Sequence, residues 1–263
     1  MTAPRSYLFV PGNRPDRFPK ALASGADAVI IDLEDAVPPA ERITARRAVR
    51  AFISPDHPVF IRVNGATTEW FRDDIALASL PGVAGSVLPK AERAEDIAQI
   101  GGTVLAIIET ARGFANASAI AQSRNVARLM FGSIDFQLDL GIHGEGEELL
   151  YFRSQLVLIS RLAGLPAPVD GVTTAFDTPH LVQSDAMRAR RLGFGGKLCI
   201  HPKQIATVNN CFGPTAEEYA WAKRVVEAVA KTGGEAISLD GEMIDRPVIA
   251  RAQAILRYLD SNS

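Results

Sequence analysis

Short apolar runs alternate with longer amphipathic segments along most of the chain. The runs are rich in Val, Ile and Leu and too short for helices, which is typical of buried parallel strands. The intervening segments place apolar residues at helical spacing and predict crossover helices. Eight such runs follow one another, at residues 7–10, 28–31, 59–64, 85–90, 104–108, 129–131, 169–172 and 197–200.

Eight successive strand–helix units favour an α/β fold, a closed (β/α)8 TIM barrel over residues 1–213. The alternative is an open doubly wound sheet, but no run has the half-polar alternation of an edge strand. The sequence also lacks GxGxxG and GxxxxGKS/T, the glycine-rich motifs of nucleotide-binding doubly wound folds. The barrel is therefore the predicted architecture.

The pattern changes in residues 214–263. An amphipathic segment at 215–231 predicts a helix, and two short β-like runs flank Asp240-Gly241, a strong signal for a two-residue hairpin turn. A last helical pattern follows Asp245 and ends at Asp260. We therefore expect a C-terminal helix–hairpin–helix extension that packs on the barrel, covers its mouth or reaches a neighbouring subunit as a lid.

Composition narrows the class of protein. A length of 263 residues fits one barrel of about 250 residues, so the barrel would use most of the chain. The net charge of −2 and the absence of a long basic run give no reason to expect a nucleic-acid or anionic-membrane partner. Cys199 and Cys211 form no CxxC motif, which favours a reducing, cytoplasmic setting. No apolar stretch reaches the ~18 residues of a membrane span.

Two neighbouring predicted strands lead to acidic residues. Glu109 follows the run at 104–108, and Asp135 follows the run at 129–131. Because the crossover between parallel strands is right-handed, both acids are expected at the same edge of the sheet. Two hard oxygen ligands with space between them suit Mg²⁺, which takes one or two protein carboxylates and completes its shell with water and substrate. The alternative is that each acid only caps the helix that follows it.

Polar residues also end most of the other predicted strands. In a TIM barrel the chemistry is carried by these carboxyl ends, so a convergence of polar groups there favours an active site. Arg62 is suited to binding a substrate carboxylate or stabilising an enolate oxygen, and it is also expected to pair with Glu34 or Asp35. The strand-end residues beside these and the two acids are Asp32, Asn64, Lys90, Asp170 and His201.

Two of these residues have competing interpretations. Lys90 follows Pro89 and is suited to a Schiff base, but no apolar pocket is evident that would lower its pKa, so a solvated or phosphate-facing lysine is favoured. His201 has no histidine partner at metal-binding spacing, which favours a hydrogen-bonding role at the end of a strand over a role as a metal ligand.

Nine motifs occur in order along the chain. They are RSYLFVPG at 5–12, DLED at 32–35, IRVN at 61–64, LPK at 88–90, IET at 108–110, GSIDF at 132–136, DGV at 170–172, GGKLCIHP at 195–202 and MIDRP at 243–247. With these motifs the chain resembles the citrate lyase β-subunit-like family, within the wider group of citryl-CoA, malyl-CoA and citramalyl-CoA lyases of the HpcH/HpaI aldolase superfamily. The resemblance covers nearly the whole chain.

The resemblance implies a TIM barrel with Mg²⁺ held by Glu109 and Asp135 and with Arg62 on an oxygen of the 2-oxoacid or thioester. It also implies a homotrimer or hexamer in which the C-terminal segment covers a neighbour's site and Asp245 gives or takes a proton. The full set of expected site residues comprises catalytic Arg62, Asp245 and Glu34, substrate-binding Arg62, Glu109, Arg5 and Lys90, and metal-binding Glu109 and Asp135.

The expected function is a Mg²⁺-dependent carbon–carbon lyase that cleaves a 3-hydroxyacyl-CoA to acetyl-CoA and a 2-oxoacid, or runs the reverse condensation. One alternative is a metal-dependent aldolase of small free 2-oxoacids without CoA. Another is a non-catalytic assembly subunit, in which some of the polar residues at the carboxyl ends of the strands are expected to be missing. The chain departs from the family pattern at Tyr151 and Phe152, which are bulky and would hinder CoA if their helix lined the cofactor groove.

Overall fold

The computed structural model describes residues 3–231, 237–239 and 242–260. The chain divides into two compact units, Pro4–Phe212 and a second unit formed by Gly213–Ser263 with Met1–Ala3. None of the helices in the described ranges combines the length and the apolar character that a membrane crossing requires.

The first unit contains a closed barrel of parallel strands, which confirms the predicted fold class. Each strand pairs with the next, and Tyr7 of the first strand lies opposite Leu198 of the last, which closes the barrel. The strands are β1 (Ser6–Pro11), β2 (Ala28–Asp32), β3 (Val59–Arg62), β4 (Val83–Leu88), β5 (Val104–Ile108), β6 (Val126–Phe131), β7 (Val169–Asp170) and β8 (Gly196–Cys199).

Helices connect and surround these strands. They are α1 (Phe18–Leu22), α2 (Arg42–Phe52), α3 (Phe71–Ile75), α4 (Ala94–Ala98), α5 (Ala111–Ala115), α6 (Ala117–Ala121), α7 (Ser133–Leu140), α8 (Leu150–Leu162), α9 (Pro179–Leu192) and α10 (Ile205–Phe212). Short 3-10 helices lie at Pro15–Arg17, Pro39–Glu41, Ala76–Ser79, Glu147–Leu149 and Pro202–Gln204. Helix α9 illustrates how local sequence sets the bounds of a helix. Pro179 suits its first position, and Gly193, with a φ of 99°, ends it.

Two helical segments differ from the prediction. The amphipathic segment at 111–124 predicts one continuous crossover helix, but in the structure it is split at Asn116 into α5 and α6. Helix α7 is not predicted at all, because Ile134, Phe136, Leu138 and Leu140 alternate with polar residues at the period of a strand. It is short and ends at Gly141, which adopts the left-handed conformation that commonly stops a helix.

Apolar side chains of the barrel strands point alternately to its interior and to the helices. In β5, Leu105 and Ile107 join the cluster inside the barrel, whereas Val104, Ala106 and Ile108 join the layer between strands and helices. Both faces are therefore buried, which explains why each strand is a continuous apolar run in the sequence. Of the charged residues in the strands, Asp32, Arg62 and Asp170 end their strands, whereas Arg128 and Lys197 are buried within β6 and β8.

The second unit contains α11 (Ala216–Lys231), the antiparallel strands β9 (Ile237–Leu239) and β10 (Glu242–Ile244), and α12 (Arg246–Asp260). Its core includes Ala222 and Val225 from α11, Ile244 from β10 and Ala252 from α12. The predicted turn at Asp240-Gly241 lies outside the described residues.

Candidate active site

A cavity of about 440 Å³ opens at the carboxyl end of the barrel strands. Its lining combines apolar side chains with charged ones that follow or end different strands. The charged residues in this lining are Asp32, Asp35, Arg62, Glu109 and Asp135. The predicted convergence of strand ends therefore places acids and a guanidinium around one cavity.

Glu109 follows β5 directly and is buried. Its Oε1 accepts a hydrogen bond from the backbone N–H of Lys90 at 2.7 Å. The carboxylate fits because residue 132 is glycine, since a Cβ there would lie 2.1 Å from Glu109 Oε2. Burial raises the pKa of Glu109 to about 8, and the negative charge of Asp135 adds to the effect. A cation in the cavity would compensate this buried charge.

Asp135 lies in the first turn of α7 and lines the same cavity. Its Oδ1 is 3.9 Å from Lys90 Nζ. The described residues form no cluster of three or more acidic, histidine or cysteine side chains suited to a metal. Two carboxylates on a cavity nevertheless fit Mg²⁺, which binds through one or two protein carboxylates and takes its other ligands from water and substrate.

Arg62 ends β3 and donates two hydrogen bonds of 2.7 Å to the carboxylate of Asp32. Its Nη1 lies 3.1 Å from Glu34 Oε2, and its guanidinium lies 4.7 Å from the centre of the Phe9 ring. Asp32 is fixed in turn by the backbone N–H groups of Glu34 and Ala36. The planar guanidinium is thus held rigidly at the cavity, a favourable arrangement for binding a carboxylate.

The predicted ion pairs of Arg62 are present, and the structure adds a third carboxylate partner. Glu34 or Asp35 was the expected ion-pair partner, and both are within 3.5 Å of Nη1, but the bidentate pair is made by Asp32. Asp32 is the last residue of β2, directly opposite Arg62 in the sheet register. The sequence showed both strand ends but not their register.

Glu34 and Lys90 form an ion pair beside Arg62. Glu34 Oε1 accepts a hydrogen bond of 2.6 Å from Lys90 Nζ. Burial raises the pKa of Glu34 above its ordinary value, against the opposing effects of Arg62 and Lys90. Burial disfavours the charge of Lys90, but its hydrogen bond to Glu34 and the charges of nearby carboxylates outweigh that effect and raise the Lys90 pKa. A Schiff-base lysine needs a lowered pKa, so this environment does not suit one.

Arg5 lies at the opposite end of the barrel, which corrects its expected role as a substrate contact. It precedes β1, and its side chain forms a two-point ion pair with Asp27 at 2.8 and 2.9 Å. Because β1 runs from this end toward the cavity, its whole length separates Arg5 from the site. The RSYLFVPG motif therefore contributes Phe9 and Pro11, and not Arg5, to the cavity lining.

Asp245 and His201 have local hydrogen-bonding roles. Asp245 Oδ1 accepts a hydrogen bond of 3.3 Å from the N–H of Val248 at the start of α12, as an N-cap does. His201 Nδ1 accepts a hydrogen bond from the N–H of Lys203, and its ring stacks on Phe176. The histidine is a strand-terminal cap, as the sequence favoured.

Ser133 is a candidate that the sequence reasoning missed. Its side chain is buried, lines the cavity, and its Oγ has no hydrogen-bond partner among the described residues. An unpaired buried hydroxyl is unfavourable unless a ligand completes it. The available signal was its place between Gly132 and Asp135 in the GSIDF motif.

Tyr151 and Phe152 do not line the cavity. Phe152 packs edge-on against Phe114 and Phe136, with ring centres 5.0 and 4.7 Å apart. Tyr151 is exposed on α8. The bulky pair is part of an aromatic cluster outside the cavity, so it does not fill the space beside Glu109.

A family model described as HpcH/HpaI aldolase/citrate lyase matches residues 5–202. A citrate lyase subunit beta-like protein of Deinococcus radiodurans is 40% identical, over 97% of this chain and 96% of that protein. The citrate lyase subunit beta of Leuconostoc mesenteroides is 32% identical, over 98% and 94%. The crystal structure of CitE from Mycobacterium tuberculosis with magnesium, acetoacetate and coenzyme A has a TM-score of 0.86 and 35% identity, and 97% of each chain is covered.

Proposed function

The chain belongs to the HpcH/HpaI aldolase/citrate lyase family and is a lyase, and from this premise we propose a Mg²⁺-dependent cleavage of a 3-hydroxyacyl-CoA to acetyl-CoA and a 2-oxoacid, or the reverse condensation. The observation that carries the proposal is the buried carboxylate of Glu109 on one cavity with Asp135 and Arg62. The magnesium, acetoacetate and coenzyme A in the M. tuberculosis CitE structure support the same ligand classes here.

Glu109 and Asp135 are the residues that would hold the ion. When bound, Mg²⁺ supplies positive charge that polarises the carbonyl of the 2-oxoacid. Glu109 would also influence substrate binding, because its fixed carboxylate limits where an oxoacid can sit in the cavity. The unpaired hydroxyl of Ser133 is positioned to donate to the same ligand.

Arg62 is the catalytic cation of the proposed site. Two of its N–H groups are taken by Asp32, which leaves its Nη1 edge between Glu34 and the cavity. There it binds the carboxylate of the oxoacid and stabilises negative charge as it develops on oxygen. Glu34 pairs with both Arg62 and Lys90 and is a carboxyl able to store a proton. The Lys90 ammonium lies 3.9 Å from Asp135, close enough to the site to attract an anionic part of the substrate.

Asp245 is proposed to manage the proton on the acetyl carbon from a neighbouring subunit of a trimer or hexamer. In the cleavage direction the substrate hydroxyl gives its proton to the carboxylate of Glu34, the carbon–carbon bond breaks, and the bonding pair passes to the acetyl carbon, which takes a proton from the acid form of Asp245. In condensation the carboxylate of Asp245 takes that proton.

The free cysteines, Cys199 and Cys211, support a reducing compartment, and we assign the protein to the cytoplasm.

The substrate class is tested with a panel of citryl-CoA, malyl-CoA and citramalyl-CoA in the presence of Mg²⁺, with release of free acetyl-CoA and oxoacid as the readout. We expect turnover of at least one thioester and its loss on adding a chelator. Cleavage of a free hydroxy-oxoacid with no thioester turnover would instead favour the aldolase. The assembly-subunit alternative predicts that polar residues are missing at the carboxyl ends of the strands, whereas Arg62, Glu109 and Asp135 all line the cavity.

The role of Asp245 is tested by Asp245→Asn. Asparagine caps a helix about as well as aspartate but cannot exchange a proton, so we expect turnover to be lost while the melting temperature is unchanged. Mixed oligomers of Asp245→Asn and Arg62→Lys chains should recover activity if the site is shared between subunits. Near-normal turnover of Asp245→Asn would limit this residue to its capping role.

A further inference from the structure

Lys90 has an unusual backbone. Among the residues that the structure describes, Lys90 alone has a positive φ, of 46°, without being a glycine. A side chain with a Cβ disfavours this left-handed region, and residues held there are concentrated at functional sites. Glycine would adopt the conformation without strain, so the presence of lysine needs an explanation.

The segment after Lys90 is fixed from two sides. The N–H of Ala91 donates to the carbonyl oxygen of Ile107 in β5 at 3.1 Å. Gly113 of α5 packs closely on the other side, since a Cβ there would lie 2.5 Å from the Ala91 carbonyl oxygen. Contacts to a strand and to a helix therefore impose the left-handed turn at Lys90.

The turn aims both ends of Lys90 at carboxylates of the site. Its backbone N–H donates to Glu109 Oε1 at 2.7 Å, and its Nζ donates to Glu34 Oε1 at 2.6 Å. The N–H fixes one oxygen of Glu109, so that the other, Oε2, is the one that lies in the space left by Gly132. One residue thus sets the orientation of two acids that follow different strands.

We propose that Lys90 is a positioning residue whose left-handed backbone orients Glu109 for the metal while its ammonium orients Glu34 beside Arg62. The inference rests on the proposed function, because it assigns a purpose to the orientation of Glu109. It also explains the choice of residue: glycine would supply the turn and the N–H but not the ammonium, and a β-branched residue would resist the turn.

Three substitutions separate the backbone role from the side-chain role. Lys90→Gly, Lys90→Met and Lys90→Val all remove the ammonium, but glycine adopts the turn freely, methionine adopts it as lysine does, and valine resists it. We expect similar Mg²⁺ affinities for the Gly and Met variants and an affinity about tenfold weaker for the Val variant. Calorimetric titration with Mg²⁺ alone measures this, and the metal-free Gly variant should melt no lower than the Met variant.

Gly113→Ala provides a test if the Val variant fails to fold. The added methyl displaces the Ala91 carbonyl and with it the turn, without changing any charge, so we expect weaker Mg²⁺ binding by about tenfold. Gly101→Ala is the matched control, because a Cβ at Gly101 meets nothing within 4 Å. Unchanged Mg²⁺ affinity in both Lys90→Val and Gly113→Ala would overturn the backbone role.

The ammonium is tested by steady-state kinetics. We expect Lys90→Met to lower kcat more than it raises KM, and Lys90→Arg to restore part of kcat by pairing with Glu34 again. A Met variant with the kcat of the wild type would overturn the side-chain role. Absence of Mg²⁺ binding in the wild-type protein would instead contradict the proposed metal site, so the two failures are distinguishable.

Discussion

Two arginine–carboxylate pairs in the barrel unit share their chemistry but differ in their surroundings. Arg153 of α8 pairs with Asp170 of β7 at 2.9 Å, and their side chains are 1% and 0% exposed. Arg62 pairs with Asp32 at the cavity, where the arginine is 12% exposed and two further acids, Glu34 and Asp35, lie within 3.5 Å. The first pair is sealed, whereas the second borders the cavity.

The remaining contacts of each arginine show what the difference means. Arg153 also donates to the carbonyl oxygen of Glu145 and lies 5.5 Å from the centre of the Phe131 ring, so it ties the 141–149 loop to the barrel. Arg62 is instead surrounded by more carboxylates than it can neutralise, on the side where Glu109 and Asp135 face the cavity. A sealed pair serves the fold, and a pair with excess acid beside a cavity is suited to a ligand.

The largest expected effect is on stability, at the sealed pair. Arg153→Met leaves Asp170 buried without its cation, so we expect unfolding to become easier by about 3–5 kcal/mol, measured by chemical denaturation. Arg161→Met on the exposed part of the same helix is the control and should stay close to the wild type. A small loss for Arg153→Met would show that the pair is not needed for the fold.

At the cavity, the larger effect should be on catalysis. Arg62→Lys keeps the charge but loses the planar two-point contacts, so we expect kcat/KM to fall by about 100- to 1000-fold. Asp32 retains its backbone donors, which limits the loss of stability to about 1–2 kcal/mol. Arg47→Lys, on the exposed face of α2, is the matched control. An unstable but fully active Arg62→Lys protein would make this pair equivalent to the sealed one.

The barrel was predictable because strands buried on both faces leave continuous apolar runs. The sixth strand shows the limit of that signal: the sequence predicted 129–131, but β6 is Val126–Phe131. Arg128 interrupts the run, and it is buried because it donates to the carbonyl oxygens of Pro4 and Ala167 and to the hydroxyl of Tyr7. These partners are distant in sequence, so no local pattern reveals them.

The site, like the barrel, was predictable where a local pattern in the sequence reveals it and not where it depends on residues distant in sequence. Strand ends indicated that Arg62, Glu109 and Asp135 meet, because parallel strands end at one rim. The bidentate pairing with Asp32 and the positive φ of Lys90 depend on sheet register and on packing against distant residues. Arg5 was placed at the site through the resemblance, although its position before β1 already indicated the opposite end.

Gly132→Ala should act on the cavity with little effect on the sealed pair. The new Cβ would lie 2.1 Å from Glu109 Oε2 and 2.6 Å from Glu109 Cβ, so the carboxylate must move. We expect Mg²⁺ affinity to fall about tenfold or more and stability to fall by about 1–3 kcal/mol. Calorimetric titration and thermal melting measure the two, with Gly101→Ala as the control. Unaltered Mg²⁺ affinity would place the ion away from Glu109.

The smallest expected effect is a pH dependence of Mg²⁺ binding. Burial and Asp135 raise the Glu109 pKa from 4.5 to about 8, so a proton competes with the ion below that pH. We expect the apparent affinity to fall by up to about tenfold per pH unit as the pH is lowered from 8 toward 6. Without Mg²⁺, the folded protein should become less stable as the pH rises toward 8, because Glu109 ionises more readily in the unfolded chain than in its buried site. Adding Mg²⁺ should restore this stability.

Calorimetric titration and melting across this pH range, with and without Mg²⁺, measure both effects. In Glu109→Gln the titrating carboxyl is absent, so its pH dependence should disappear together with most Mg²⁺ binding. In Arg153→Met the pH dependence should persist, because the sealed pair lies away from the cavity lining. If Mg²⁺ affinity were independent of pH in the wild type, Glu109 would already be ionised without the metal. The buried carboxylate would then be compensated by Lys90 and Arg62 alone, and the cavity would need no cation.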